Sequence, residues 1–134
     1  MDSNVAYVGD SAFEGCTNFG KNSHIKLINP IDLSSTCRIG SSAFKDTAVP
    51  RAYVGIDPNR LDEPIQLVNI YIGKGAFLNS KLEYIEIYGN NVTTTINSSA
   101  FASTPLKTFK IRTNGTNTIM GASLFSSTSC NVYI

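Results

Sequence analysis

A short phrase that recurs five times constrains this chain more than any other feature. Each copy begins with an apolar residue followed by Gly or Asn, and ends, four residues after the Gly or Asn, on a phenylalanine. The phenylalanines that anchor the copies are Phe13, Phe44, Phe77, Phe101 and Phe125. Self-similar units of roughly 20–45 residues are the signature of a solenoid. The sequence therefore predicts a stack of coils.

The columns of the repeat have separate roles in this prediction. The fourth residue before the phenylalanine is Gly9, Gly40, Gly73, Asn97 or Gly121. Since Gly and Asn tolerate a left-handed backbone, this column predicts a tight turn. Alanine precedes the first four phenylalanines and Leu124 the fifth, and the small alanines would let coils approach closely. The phenylalanines would form one aromatic column in the interior. We expect a short helical or 3₁₀ segment around each Ala-Phe pair.

A second apolar phrase follows the phenylalanine and predicts a strand. Residues 82–87 read LEYIEI and residues 106–111 read LKTFKI, with the period-two alternation of a strand. The predicted fold class is a mainly β solenoid, a stack of about five coils. Each coil has a short parallel strand, a tight Gly/Asn turn and a short helical segment. We interpret residues 1–134 as a single repeat domain that belongs to a longer array, because no distinct capping unit is evident.

The recurring columns resemble the BspA-like leucine-rich repeat family, whose units read approximately I-G-x-x-A-F-x-x-C-x-x-L-x-x-I-x-I-P. The resemblance extends from Tyr7 to Ile134, although only the first copy keeps the family's cysteine, at Cys16. It implies a leucine-rich-repeat solenoid with a strand ladder on one face. It also implies an extracellular or cell-surface location, because members are typical of surface proteins of host-associated bacteria and mucosal protozoa, and several are adhesins.

Composition and charge argue against several functional classes. The 11 basic and 10 acidic residues give a net charge of +1, which does not suggest nucleic-acid binding. No apolar run is long enough for membrane insertion. Cys16, Cys37 and Cys130 have no metal-binding spacing and are interpreted as structural thiols, and His24 has no nucleophile partner. We therefore expect no cofactor, no metal site and no catalytic residues, and we predict that the protein is not an enzyme.

The outer side of the predicted strands is the first candidate binding surface. Since the isoleucines face inward, alternate residues face outward. The proposed partner-binding residues are Arg51, Tyr53, Tyr84, Glu86, Tyr88, Lys110 and Arg112. Glu86 and Lys110 lie the same number of residues after Phe77 and Phe101, so parallel stacking of the coils places them side by side. Tyrosines flanked by basic residues suit contacts with protein or glycan. They are also common in strands for their β propensity alone, and both interpretations stay open. The insert at residues 55–67 is predicted to be an exposed loop and is a second candidate.

Two functional hypotheses follow from these features. The first is a non-catalytic interaction module, an adhesin-like surface repeat domain that binds a protein or glycan on a host or neighbouring cell. The alternative is a structural spacer or assembly segment of a larger surface or virion protein. Uncapped coils would also permit end-to-end association, since unpaired strand edges attract further strands.

Overall fold

Two parallel sheets run along the stack in a computed structural model, which describes residues 7–28, 36–55, 69–90, 93–114 and 118–133. Each of the five coils contributes one strand to each sheet. The first sheet contains β1 (Tyr7–Val8), β3 (Thr36–Ile39), β5 (Asn69–Ile72), β7 (Thr94–Ile96) and β9 (Thr118–Met120). The second contains β2 (His24–Ile28), β4 (Arg51–Gly55), β6 (Tyr84–Asn90), β8 (Thr108–Asn114) and β10 (Asn131–Tyr133). The predicted solenoid is confirmed, with two strands in each coil.

The phenylalanines form the predicted column between the sheets. Phe44, Phe77 and Phe101 are completely buried, and their ring centroids are 5.2 and 5.8 Å apart along the stack. Phe13 and Phe125 continue the column at its two ends, at 5.4 and 6.0 Å from their neighbours. Inward aliphatic side chains of both sheets pack around the rings. Because no coil encloses its own rings, the hydrophobic core exists only between coils.

The segments around the Ala-Phe pairs are consecutive turns, and the part of the chain that the structure describes contains no helix. In the first coil Ala12 N–H donates to Gly9 C=O at 3.3 Å, and Cys16 N–H donates to Phe13 C=O at 3.0 Å. The third residue of each turn, Ser11 or Gly15, has a positive φ, as in type II turns. The predicted helical segments are therefore wrong, because left-handed residues interrupt any helix at these points.

The turn segments are held together by hydrogen bonds between coils. Alternate N–H groups point along the stack and donate to carbonyls of the following coil. Ser42, Phe44 and Asp46 donate in this way at 3.0, 2.7 and 3.1 Å, to the carbonyls of Lys74, Ala76 and Leu78 respectively. Backbone groups that an isolated turn would leave unsatisfied are thus paired by the neighbouring coil. This ladder forms a third side of the stack besides the two sheets.

The glycine column has a different function from the predicted one. Its residues are not among those with a positive φ. Within the turn segments, a positive φ occurs instead two residues before and two residues after each phenylalanine. A Cβ on Gly40 would lie 2.5 Å from the backbone nitrogen of Asp10, and a Cβ on Gly73 would lie 2.5 Å from that of Ser41. Glycine is therefore required because the backbones of adjacent coils approach closely. Asn97, the one side chain in this column, donates its amide to Ile72 C=O at 3.2 Å.

Small hydroxyl residues three positions after the phenylalanines close the turns from inside. Thr47 Oγ1 donates to Phe44 C=O at 2.7 Å, and Thr104 Oγ1 donates to Phe101 C=O at 2.8 Å. Both side chains are buried, so their hydroxyls need these partners. Cys16 belongs to the same column but is exposed, since it lies in the first coil.

The buried thiol of Cys37 predicts a loss of stability at alkaline pH. Burial raises the pKa of Cys37 from about 9 to about 11, with a smaller opposing effect from the backbone of Gly55. Between these values the unfolded chain releases a proton that the folded chain retains, so the free energy of unfolding falls as pH rises. We expect urea titrations from pH 8 to 11 to show this decline.

A Cys37→Ala variant isolates the contribution of this thiol. Its stability at pH 8 is expected to be lower, because the fully buried side chain is shortened. Its decline with pH should nevertheless be shallower than that of the parent protein. Cys16→Ala, at an exposed thiol, is the matched control and should leave the slope unchanged. Equal slopes in Cys37→Ala and the parent protein would contradict the prediction.

Candidate functional site

The outer face of the second sheet brings five of the seven predicted binding residues into two rows across the strands. In the first row Arg51 of β4 is in register with Tyr84 of β6 and Thr108 of β8. In the second row Tyr53 is in register with Glu86 and Lys110. The predicted register of Glu86 with Lys110 is confirmed. We call Arg51, Tyr53, Tyr84, Glu86 and Lys110 the strand-face cluster.

Aromatic rings zigzag across three strands of this face. The ring of His24 in β2 meets Tyr53 edge-on, with centroids 5.9 Å apart, and Tyr53 lies 6.1 Å from Tyr84. The guanidinium carbon of Arg51 lies 5.2 Å from the centroid of the Tyr84 ring. A cation at this distance stabilises an exposed ring by about 0.5–1 kcal/mol. These contacts link side chains of three neighbouring strands on the outer face.

Glu86 lies at the centre of the polar contacts in the cluster. Tyr84 donates its hydroxyl to Glu86 Oε1, and Lys110 Nζ lies 3.7 Å from the same oxygen. The Glu86 side chain is only 12% exposed, whereas that of Lys110 is 43% exposed. Burial raises the pKa of the Tyr84 hydroxyl above its usual range, and the nearby Glu86 carboxylate raises it further. At neutral pH Tyr84 therefore remains a hydrogen-bond donor.

Tyr88 and Arg112 occupy a third row, next to Gly55. Tyr88 is only 8% exposed, so it does not offer the contact area expected of it from the sequence. Burial and the nearby Glu86 carboxylate raise its pKa. A Cβ on Gly55 would overlap the carbonyl oxygen of Tyr88, which shows how closely β4 and β6 approach here. Arg112, by contrast, is exposed.

Comparison with known families identifies the repeat. The model for the BspA type leucine-rich repeat region matches residues 1–131 in six copies, one more than the five coils anchored on phenylalanine. The chain belongs to the BspA-type leucine-rich repeat family. Neither the curated proteins nor the solved structures contain a significant match to it.

Membership of this family indicates a repeat module of the kind used for protein interaction. BspA-type repeats are typical of bacterial surface proteins, and the family is typically non-catalytic. The described residues include no helix long and apolar enough to cross a membrane. They also include no cluster of three or more His, Cys, Asp or Glu side chains suited to a metal ion.

The first sheet of the BspA-type stack carries a cluster that sequence reasoning missed. Tyr7, Arg38 and Tyr71 are in register across β1, β3 and β5. The guanidinium carbon of Arg38 lies 5.9 Å from the Tyr7 ring centroid and 4.3 Å from that of Tyr71, and Asp10 lies 3.7 Å away from the same guanidinium group. The signal was present in the sequence, because each of these three residues lies two positions before a glycine of the repeat column.

A shallow groove lined mainly by polar residues lies along the turn side. It has a volume of about 360 Å³ and is lined by Gly15, Thr17, Asp46, Thr47, Asn79 and Lys81. Asn79 Nδ2 donates to Asp46 Oδ1 at 2.7 Å, so the two side chains link adjacent coils. The predicted loop at residues 55–67 lies, apart from Gly55, outside the described residues.

Proposed function

We propose that the protein is a non-catalytic, adhesin-like interaction module of a cell surface, and that its strand-face cluster contacts the partner. The observation that supports this most directly is the ordered row of aromatic and charged side chains across β2, β4, β6 and β8. Ordered tyrosine and arginine side chains give contact area with little further loss of side-chain entropy. Membership of a family typical of bacterial surface proteins supports the same proposal.

The charge of this face favours an anionic partner. Lys26, Arg51, Lys110 and Arg112 are four cationic side chains on the outer side of the second sheet, whereas Glu86 is the carboxylate among them. The whole chain carries a net charge of only +1, so this face is more positive than the protein average. Complementary charge steers association and gives specificity. We propose an acidic protein surface or an acidic glycan of a host or neighbouring cell as the partner.

The Tyr84→Ala variant, which lacks the ring, is expected to bind the partner at least tenfold more weakly, a loss of about 1.4 kcal/mol or more in binding free energy. Loss of an aromatic anchor residue has effects of this size in known interfaces. The ring touches both Arg51 and Tyr53, so its loss also disorders its neighbours. Surface plasmon resonance against immobilised extracellular-matrix proteins and an array of sialylated and sulfated glycans would measure the effect. Binding should also weaken as salt concentration rises.

Tyr71→Ala is the matched control for this experiment. Tyr71 is a partly exposed tyrosine that also contacts an arginine, but it lies on the outer face of the first sheet. Its replacement should leave binding unchanged, with circular dichroism showing that both variants are folded. Full binding by Tyr84→Ala, or an equal loss in Tyr71→Ala, would place the contact elsewhere.

A role as a spacer or assembly segment remains the second proposal, and one observation favours it. Both parallel sheets and the hydrogen-bond ladder of the turns continue through all five described coils. A continuous stack of this kind is suited to holding other parts of an assembly at a fixed distance. If neither the matrix proteins nor the glycans bind the intact protein, this second role becomes the better account.

A further inference from the structure

Cationic side chains flank one central strand on the outer face of the second sheet. Arg51 lies on β4, and Lys110 and Arg112 lie on β8, whereas β6 between them carries no cation in the rows that these strands share. Since neighbouring strands are about 4.8 Å apart, the two flanks are separated by roughly 9.5 Å across the sheet. All three strands are paired on both sides. The arrangement therefore belongs to the side of the stack and not to either end.

The two arginines of the flanks are not neutralised by neighbouring groups. Arg51 and Arg112 are exposed, and neither forms an ion pair with a carboxylate of the described residues. The guanidinium carbon of Arg51 lies 5.2 Å from the centroid of the Tyr84 ring, a contact that orients the cation and leaves its charge in place. A guanidinium group binds oxyanions through parallel hydrogen bonds. Each flank therefore offers an arginine to an anionic group.

The strip between the flanks presents aromatic rings. Its carboxylate, Glu86, accepts the Tyr84 hydroxyl, lies 3.7 Å from Lys110 Nζ and is only 12% exposed. Tyr53 and Tyr84 are half-buried, with ring centroids 6.1 Å apart, so part of each ring faces solvent. Such rings combine apolar area with a polar hydroxyl. The C–H side of a sugar ring packs on an apolar surface of this kind, while its hydroxyls reach polar neighbours.

The composition of this face favours a polysaccharide over a protein as the partner. In the three rows that β4, β6 and β8 share, the outward positions hold charged, tyrosine, threonine and glycine residues, and no aliphatic side chain. The core of a protein–protein interface is, by contrast, apolar and depleted of charged residues. A linear anionic polysaccharide supplies the complementary groups, which are anions, hydroxyls and sugar rings.

We infer that a linear anionic polysaccharide binds across β4, β6 and β8, parallel to the axis of the stack. Arg51 binds one anionic group, Arg112 with Lys110 beside it binds another, and a sugar ring between them packs against Tyr84. The polysaccharide crosses the strands because the two flanks lie on different strands. The inference rests on the proposed function, in which the strand-face cluster contacts the partner, and it selects the glycan among the acidic partners.

The dependence of affinity on chain length tests whether one polysaccharide reaches both flanks. Heparin-derived oligosaccharides are the probe, and isothermal titration calorimetry measures their binding to the parent protein. An octasaccharide is long enough to contact both flanks at once, whereas a disaccharide contacts one of them. We expect the octasaccharide to bind roughly a hundredfold more tightly, because the second contact is made at a high effective concentration.

Charge-removing variants test the two flanks separately. Arg51→Gln and Arg112→Gln should each weaken octasaccharide binding by about tenfold. Each should also reduce the slope of log affinity against log salt concentration by about one, since one cation fewer displaces a counterion. Lys74→Gln is the matched control, because it removes the same charge from an exposed lysine outside the second sheet. It should leave affinity and slope unchanged, with circular dichroism showing that all three variants are folded.

Four results would overturn the inference. Failure of the octasaccharide to bind, or equal affinity for the octasaccharide and the disaccharide, would show that no chain spans the flanks. An equal loss in Lys74→Gln would show that binding depends on total charge and not on this face. A polyglutamate peptide with the charge of the octasaccharide that binds as tightly would indicate an acidic protein as the partner.

A separate measurement distinguishes failure of this inference from failure of the proposed function. Extracellular-matrix proteins are treated with glycosidases that remove their anionic polysaccharides, and binding is measured with the parent protein and with Tyr84→Ala. We expect the treatment to abolish binding. Persistent binding that Tyr84→Ala weakens would overturn the polysaccharide inference and leave the proposed function intact. Persistent binding that Tyr84→Ala leaves unchanged would overturn both.

Discussion

Replacing Phe77 with Ala is expected to lower the free energy of unfolding by about 3–5 kcal/mol. Phe77 is completely buried at the middle of the aromatic column, between Phe44 and Phe101. Its removal leaves a cavity that both neighbouring coils line, and neither sheet can close it without shifting the other coils. Urea denaturation followed by circular dichroism would measure the loss.

Phe125→Ala is the matched control at the end of the same column. Its ring contacts Phe101 at 6.0 Å and Phe109 at 5.2 Å, but it is only partly buried. We expect a loss of about 1–2 kcal/mol, because less apolar surface leaves water on folding and solvent can fill the space. Similar losses in the two variants would mean that the interior column is not what stabilises the stack.

Gly73→Ala is expected to destabilise the protein by about 2–3 kcal/mol, the usual cost of overpacking a closely packed interior. The added Cβ would lie 2.5 Å from the backbone nitrogen of Ser41 and 2.6 Å from the carbonyl carbon of Gly40. Because both are backbone atoms of the preceding coil, the strain can be relieved only by moving coils apart. Thermal and urea unfolding should both show the loss.

Gly75→Ala separates this clash from backbone strain. Gly75 has a φ of +62°, but a Cβ there would meet only the Leu78 and Ser42 side chains, at 3.6 Å or more. Its cost should be that of a left-handed alanine, about 1 kcal/mol. If Gly73 were instead required for a left-handed turn, as its sequence suggests, the two variants would be destabilised equally. A smaller loss at Gly73 than at Gly75 would contradict the close-approach explanation.

The mechanism of each turn could not be deduced from its own sequence. Around Ala43 and Phe44 the local residues are compatible with a short helix, which is what the sequence predicts. The N–H of Phe44 instead donates to Ala76 of the next coil, 32 positions along the chain. A hydrogen bond to another coil replaces the one that a helix would make within the segment. Local helix propensity depends only on nearby residues, so it cannot predict a partner in another coil.

The candidate surface was predicted in part. The offsets that align Glu86 with Lys110 depend only on the repeat, and the register agrees with them. The burial of Tyr88 and the Arg38 contacts with Tyr7 and Tyr71 were not predicted. The repeat columns place Tyr7, Arg38 and Tyr71 in one row, but they do not specify how the side chains of neighbouring coils pack, and both burial and ring contacts depend on that packing.

The sequence by itself determined the repeating unit, the inward apolar columns and the aromatic column, because each is a periodic pattern that only a stack can bury. Tertiary structure alone decided which backbone groups pair between coils, why glycine is needed at Gly40 and Gly73, and which apolar side chains remain exposed on the last coil. The physical reason is that these properties belong to the interface between two coils, and one unit of the sequence describes only one side of it.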